Sequence, residues 1–254
     1  MVYGGMPLVV PMNEIEDKTN YLSALFQKVY LSDIIERYKV KNKTELDELV
    51  DVLASSTGSF TSVSKLTKTF KSATNKTLSD KTIANYIDYL IDSFLVSKAK
   101  RFDTKGRKYI GSLVKYYFED VGLRNARLGF RQIEESHLME NIIYNEFRMR
   151  GYHVDVGIIE QYGMTKAGKR EKKKLEVDFV ATMGSEKYYI QSAFAMPTPS
   201  KIAQEKRSLQ GIPDSFRKVI VVGGNKKFVG MKTELQRWVF RIFSWTTTAL
   251  DGNL

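Results

Sequence analysis

Lys174-Leu175-Glu176-Val177-Asp178-Phe179-Val180 sets two carboxylates inside an otherwise apolar run. In an extended strand alternate side chains share a face, so Glu176 and Asp178 are expected on one side and Leu175, Val177 and Phe179 on the other. Two acids on one strand face are either solvated surface or oxygen donors aimed at a divalent cation, for which this spacing is suited. The flanking sequence has to decide between the two.

Ahead of the run lie a Gly- and Lys-rich segment, read as a loop over residues 161–173, and an alternating strand over 152–158. Before these, residues 133–150 predict a long helix with Leu138, Ile142, Ile143 and Phe147 on one side, ended by Gly151. Glu140 and Glu146 ride on that helix, Glu140 beside the apolar stripe. Behind the run come a strand over 187–194, a helix over 199–209, an apolar strand over 216–222, and a last helix holding Leu235, Val239, Phe240, Ile242 and Phe243. Helix, three strands, helix, strand, helix predicts an α/β domain with a mixed sheet.

The first half of the chain reads differently. Gly4-Gly5-Met6-Pro7 is a turn-forming string, and helical spacing follows at Tyr21, Leu22, Leu25 and Phe26, at Leu31, Ile34, Ile35 and Tyr38, and at Leu46, Leu49, Val50 and Leu53. Phe60-Thr61-Ser62-Val63 opens a helix with Leu66 and Phe70, and residues 72–77 read as a polar turn. Ser79 is then an N-cap for a helix carrying Ile83, Tyr86, Ile87, Leu90, Ile91 and Phe94, with Lys81, Thr82, Asn85 and Asp88 opposite. A basic β-hairpin follows, with Lys100 and Arg101 before a turn at 103–106 and Lys108 after it. Two helices and a basic hairpin form the pattern of a winged helix-turn-helix, or of a helical domain with a surface hairpin. Asp47, Glu48, Asp51 and Asp88 dilute the positive field that a DNA-facing surface requires. Residues 113–131 read as a linker helix with Tyr116, Tyr117 and Phe118, then a basic turn at Arg124, Arg127 and Arg131.

Bulk composition narrows the classes. With 40 Lys+Arg against 29 Asp+Glu, the 254-residue chain carries a net charge of +11, which favours polyanionic partners such as nucleic acid. Hydrophobic content of 43% and aromatic content of 12% fit ordered globular structure. Zero cysteines exclude thiol nucleophiles, disulfides and zinc fingers and agree with a reducing, cytoplasmic setting. No apolar run reaches the roughly 20 residues of a membrane span. Two histidines leave little material for histidine chemistry, and His153, like Trp238, is expected to pack. Gly163-Met164-Thr165-Lys166-Ala167-Gly168-Lys169 has phosphate-loop spacing, but Arg170 replaces the Ser/Thr metal ligand and no apolar helix follows, so it is set aside as a nucleotide site.

Gly4-Gly5-Met6-Pro7, Tyr21-Leu22, Leu31-Ser32-Asp33-Ile34, Glu140-Asn141, Arg150-Gly151-Tyr152 and Glu176-Val177-Asp178-Phe179-Val180 together resemble the C-terminal region, called DUF4143, of a group of bacterial and archaeal AAA+ type ATPases. The resemblance spans nearly the whole chain. It implies a helical lead-in over residues 1–57 that follows an ATPase module missing here, a winged helix-turn-helix over 58–114, and a PD-(D/E)xK nuclease-like domain with a mixed sheet over 115–254.

In an active nuclease of that class, a helix glutamate, a strand aspartate and an (E/Q)xK strand hold Mg²⁺ and position a lysine by the attacking water. The resemblance assigns these places to Glu140, with Glu146 as alternate, to Asp178, with Glu176 as flanking acid, and to Gln191. Ala193 stands where the lysine is expected, and Lys187, of the same strand parity as Gln191, and Lys201 are substitutes. Lys166, Lys169, Arg170, Lys172, Lys173 and Lys174 form either a solubilising loop or a phosphate clamp beside the site, joined by Lys81, Asn85, Lys100, Arg101 and Lys108 as candidate DNA contacts. The expectation is an accessory portion of an AAA+ ATPase, the motor supplied in cis or in trans. Its nuclease-like domain is expected to bind DNA or a protein without cutting, needing Mg²⁺ only if active. A Mg²⁺-dependent DNA endonuclease and a winged-helix transcription regulator are the alternatives.

Overall fold

The structure is a computed structural model that describes residues 2–106, 108–164, 170–194, 199–223 and 235–239. It is a mixed α+β chain divided into two compact units, one of residues 1–100 and 111–145 and the other of residues 101–110 and 146–254.

The first unit is mostly helical: α1 (Ile15–Leu25), a wide helical turn (Phe26–Leu31), α2 (Ser32–Arg37), α3 (Lys43–Ser55), α4 (Val63–Thr74) and α5 (Asp80–Asp92). Side-chain caps set two helix starts, Ser62 accepting from the Lys65 N–H at 3.2 Å and Ser79 from the Thr82 N–H at 3.1 Å. Of the expected α5 stripe, Ile83, Tyr86, Ile87 and Leu90 are buried and Ile91 is half-buried, whereas Phe94 lies past the end of the helix and is 74% exposed. Strands β1 (Val96–Asp103) and β2 (Lys108–Phe118) confirm the hairpin. Thr61 and Val114 exchange backbone hydrogen bonds of 2.8 Å, joining the segment before α4 to β2.

Tyr116, Tyr117 and Phe118 end β2 and are not part of a linker helix, which corrects the reading of residues 113–131. Their aromatic run suits a strand, and Asp120 caps the short α6 (Val121–Arg127), accepting from the Leu123 N–H at 3.0 Å. One apolar core runs from Val9 to Ala126, so the expected lead-in and the helices after residue 58 bury their stripes against one another, together with residues beyond 115. The Gly-Gly string is tied into the same unit. Gly5 N–H donates to Asp120 Oδ2 at 2.7 Å, and Gly4, at φ +67°, leaves no room for a Cβ beside that carboxylate.

Helix α7 (Glu135–Met149) leads to the second unit, with β3 (His153–Met164), β4 (Arg170–Met183), β5 (Glu186–Ala193), α8 (Pro199–Gln210), β6 (Arg217–Val222) and β7 (Leu235–Val239). They form an open mixed sheet in the order β2-β1-β3-β4-β5-β6-β7, to which the hairpin contributes its tip. β3, β4 and β5 run antiparallel, whereas β6 is parallel to β5, β7 to β6 and β1 to β3. Leu209 and Ile212 pack with Ile159, Val177, Val180, Tyr189, Ala193 and Ile220. Residues 235–239 pair with β6 instead of starting a helix. A short apolar run fits either period, and here the hydrogen-bonding edge of β6 decides. Phe240, Ile242 and Phe243 lie outside the described residues. Among those described, no helix is long and apolar enough to cross a membrane.

Candidate functional site

Asp178 sits where the strand alternation breaks. Asp155 pairs with Val180 and Gly157 with Val177, so Val156 alone faces both Asp178 and Phe179. This extra residue on β4 is a β-bulge, which re-aims the side chains beside it. Gly157 makes it possible, because a Cβ there would lie 2.9 Å from Val180 Cγ2 and 3.0 Å from Val177 Cβ. Simple parity is thereby overturned: Val177 and Val180, three residues apart, join one apolar cluster, and Asp178 is not a plain same-face partner of half-buried Glu176. Asp178 is only 8% exposed, and its Oδ2 accepts the Ser192 backbone N–H at 2.6 Å.

Gln191 lies on the neighbouring strand β5 and faces α8, its Oε1 accepting from Ser208 Oγ at 3.2 Å. Ala193 is buried in the cluster with Leu209 and Tyr189. A lysine at this position would have to place its ammonium beside those apolar groups, at a cost of several kcal/mol. Lys187 Nζ lies 4.9 Å from the Phe216 ring centroid and 5.9 Å from that of Phe102, held by cation–π contact. Lys201 is in the first turn of α8, its side chain outside the description.

Glu140, the helix acid, belongs to a closed network in the first unit. Its Oε1 accepts from Lys115 Nζ at 2.8 Å and from Tyr117 Oη at 2.6 Å, and the Lys115 and Glu140 side chains are only 5% and 13% exposed. Tyr117 stacks on Tyr144 at 4.3 Å, and Lys115 lies over the Phe60 ring at 5.3 Å. Glu146, the alternate, pairs with Arg150 one turn away. One oxygen of Glu140 is thus engaged by an ammonium and a phenol, one of Asp178 by a backbone amide, and the Gln191 amide oxygen by a serine hydroxyl. Among the described residues no group of three or more His, Cys, Asp or Glu could hold a metal ion.

The candidate DNA contacts are distributed over several elements. Lys81 and Asn85 are exposed on α5, Lys100 and Lys108 are exposed on the hairpin and Arg101 is half-buried. Arg170, Lys172 and Lys173 belong to β4, paired with Met164, Tyr162 and Gln161, so strand structure replaces the ends of the expected loop. Lys166 and Lys169 lie outside the described residues. The acids expected to dilute a DNA-facing field are compensated in part. Asp47 and Asp51 clasp Arg127 through four side-chain hydrogen bonds of 2.6–2.9 Å, and Glu48 pairs with Lys76 at 2.8 Å. Burial pulls the Arg127 pKa down, but the two aspartates outweigh it and hold it above its usual value. Arg124 is not a surface cation either: it is 1% exposed and donates to Ala54 O, and burial lowers its pKa.

Residues 1–134 match the family model described as Domain of unknown function (DUF8612), which is more than half of the chain. The chain belongs to the DUF8612 family. It is 34% identical over 221 residues to an uncharacterized protein of Haemophilus influenzae, covering 87% of this chain and 51% of that protein. It is 25% identical over 212 residues to uncharacterized protein MJ1544 of Methanocaldococcus jannaschii, covering 84% and 45% respectively. The DUF8612 chain thus spans about half the length of the curated relatives it matches. Protein VC1899 from Vibrio cholerae aligns over 83% of this chain and 48% of its own at 13% identity, with a TM-score of 0.24, too low to carry an argument about fold.

One polar cluster of the DUF8612 chain escapes the sequence reading. Tyr109 Oη lies 3.1 Å from Asp155 Oδ2 and 3.2 Å from His153 Nε2, which is itself 3.2 Å from Asp155 Oδ2. His153 is therefore an exposed polar partner and not the packing residue expected of it. Burial, and then Asp155, raise the Tyr109 pKa. The His-x-Asp spacing on a strand was the available signal. Trp238 lies on β7 with its side chain outside the description.

Proposed function

We propose that this chain is an accessory portion of an AAA+ type ATPase, as its resemblance to DUF4143 regions implies, and that its nuclease-like domain binds DNA without cutting it. The succession α7-β3-β4-β5-α8-β6 supports the nuclease-like reading, since an antiparallel β3-β4-β5 meander is followed by a helix and then by a strand parallel to β5. The capped α4-α5 pair followed by the β1-β2 hairpin supports the winged-helix reading.

The loss of catalysis rests chiefly on Ala193. Its place in the (E/Q)xK pattern has closed into apolar core, so no cation at that position can stabilise a transferring phosphoryl group. Glu140, whose Oε1 accepts from Lys115 and Tyr117, supports the same reading. What persists is net positive charge, and charge alone drives salt-sensitive association with phosphates.

The test is fluorescence anisotropy of a labelled 20-base-pair duplex, with chelator or with Mg²⁺, across a salt series. Binding that is insensitive to Mg²⁺ and weakens steeply with salt is expected. No association at about 50 mM salt would leave the domain a protein-docking element and overturn the DNA reading.

A further inference from the structure

We propose that helix α4 of the first unit lies along the phosphate backbone of a DNA duplex, held by Lys65, Lys68 and Lys71, while α5 stays out of the groove. This contact belongs to a different unit from the nuclease-like domain and goes beyond the reading of that domain. α4 carries three lysines and no acid over Val63–Thr74. Every other described helix of eight or more residues carries at least one Asp or Glu. A solvated helix face usually interleaves the two signs, and a face of one sign is complementary to a polyanion.

The lysines share the outer side of the helix. At about 100° per residue, Lys65, Lys68 and Ser72 follow one another at i, i+3 and i+7, away from the buried Leu66 and Phe70. Lys71 flanks that row on one edge and Thr69 on the other, and all five side chains are exposed. None of the three lysines forms an ion pair among the described residues; Lys65 Nζ donates to Phe60 O at 2.9 Å. The acid that does reach α4, Asp80, accepts from Thr67 Oγ1 at 2.6 Å, and Thr67 lies about 100° round from Lys68 toward the buried side.

α5 has the opposite balance. Its exposed charged and amide side chains are Asp80, Lys81, Asn85, Asp88 and Asp92, three acids against one cation. In a helix-turn-helix the second helix reads bases from the major groove. Here that placement would set Asp88 and Asp92 between two rows of phosphates, whose charge repels them. α4 meets no such repulsion. Lys65 to Lys71 span on the order of 9 Å of helix axis at 1.5 Å per residue. A DNA strand sets one phosphate per about 3.4 Å of axis, so the three ammonium groups match about three successive phosphates. The Thr69 and Ser72 hydroxyls add uncharged donors of the kind that backbone contacts use. Contacts to phosphate carry no sequence information, so the binding is sequence-blind.

The experiment reads the anisotropy of two labelled duplexes of unrelated sequence, each of about 20 base pairs, across a salt series. The full chain is compared with Lys65→Gln/Lys68→Gln/Lys71→Gln on α4, with Lys81→Gln/Asn85→Ala on α5, and with Lys39→Gln/Lys41→Gln/Lys43→Gln. The last removes the same charge as the first from exposed positions of the same unit, and thermal melting checks that each variant is folded. The α4 variant is expected to lose about tenfold or more near 100 mM salt, and about 3 from the steepness of log K against log salt, equally for both sequences. The α5 variant and the control are expected to lose under about threefold. If the α5 variant or the control loses as much as the α4 variant, or if the wild type prefers one sequence by about tenfold or more, the inference is overturned while DNA binding itself stands. Without wild-type binding to either duplex, this inference and the DNA reading of the nuclease-like domain both fall, and binding to vesicles of about 30% anionic lipid would then assign the stripe to a membrane surface.

Discussion

Glu140, half-buried, and Asp178, buried, are acids withdrawn from water, one in each unit, and their described contacts differ in kind. Glu140 is balanced by a full positive charge, Lys115, and by the Tyr117 phenol. Asp178 accepts a backbone amide at a bulge that its own strand creates. The comparison teaches that a buried carboxylate does not identify a metal site until its oxygens are accounted for. The first behaves as a structural ion pair, whose loss strands a charge, and the second as a strand-fixing hydrogen bond, whose loss strands a neutral amide.

The sharpest way to separate the two is to remove each acid. Glu140→Ala leaves the Lys115 ammonium buried without its partner and is expected to cost about 3–5 kcal/mol in urea unfolding. The double replacement Lys115→Met/Glu140→Leu should recover most of that loss. If Glu140→Ala costs under about 1 kcal/mol, the pair is not structural. Asp178→Ala should cost less, about 1–3 kcal/mol, by orphaning the Ser192 N–H, whereas Asp178→Asn keeps an acceptor and should stay within about 1 kcal/mol of wild type.

The bulge gives a comparable effect. Gly157→Ala would push a methyl group into Val177 and Val180 and is expected to destabilise by about 1–3 kcal/mol. A neutral result there would mean that β4 shifts register easily. The smallest effect lies in the first unit at alkaline pH. Burial, and then Asp88, push the Tyr116 phenol up to about 12 from its usual value of 10.0. The folded state therefore holds its proton where the unfolded chain has released it. Stability from this group is complete below pH 10 and is lost as pH rises toward 12. Unfolding measured at pH 8 and pH 11 should show a loss that is smaller by about 1 kcal/mol in Tyr116→Phe.

How much of this was legible in the sequence depends on how local the cause is. The Ser79 cap and the Ile83-Tyr86-Ile87-Leu90 stripe lie within a few turns, and the helix follows them. The hairpin, the inner parts of β3 and β4, and strands β5 and β6 were readable from alternation and turn residues, whereas residues 161–164 and 170–173, read as loop, are strand. Leu235–Val239 was not, because a short apolar run satisfies both periods and the exposed edge of β6 makes the choice. The bulge at Asp178 was hidden for another reason. Parity assumes an unbroken register, and the slip is set by the partner strand, where Gly157 permits close approach.

Partners far apart in sequence were harder still. Lys115 reaches Glu140 across 25 residues, and Arg127 reaches Asp47 across 80, pairings that composition cannot supply. The departure at Ala193 was visible from the first reading, but its burial beside Leu209 was not.

The most direct test of the central claim is incubation of the chain with supercoiled and linear DNA over a range of Mg²⁺ and Mn²⁺ concentrations, with Asp178→Ala alongside. The account predicts intact DNA in every lane, together with salt-sensitive binding that Asp178→Ala leaves within about twofold of wild type. Metal-dependent cleavage that disappears in Asp178→Ala would contradict it.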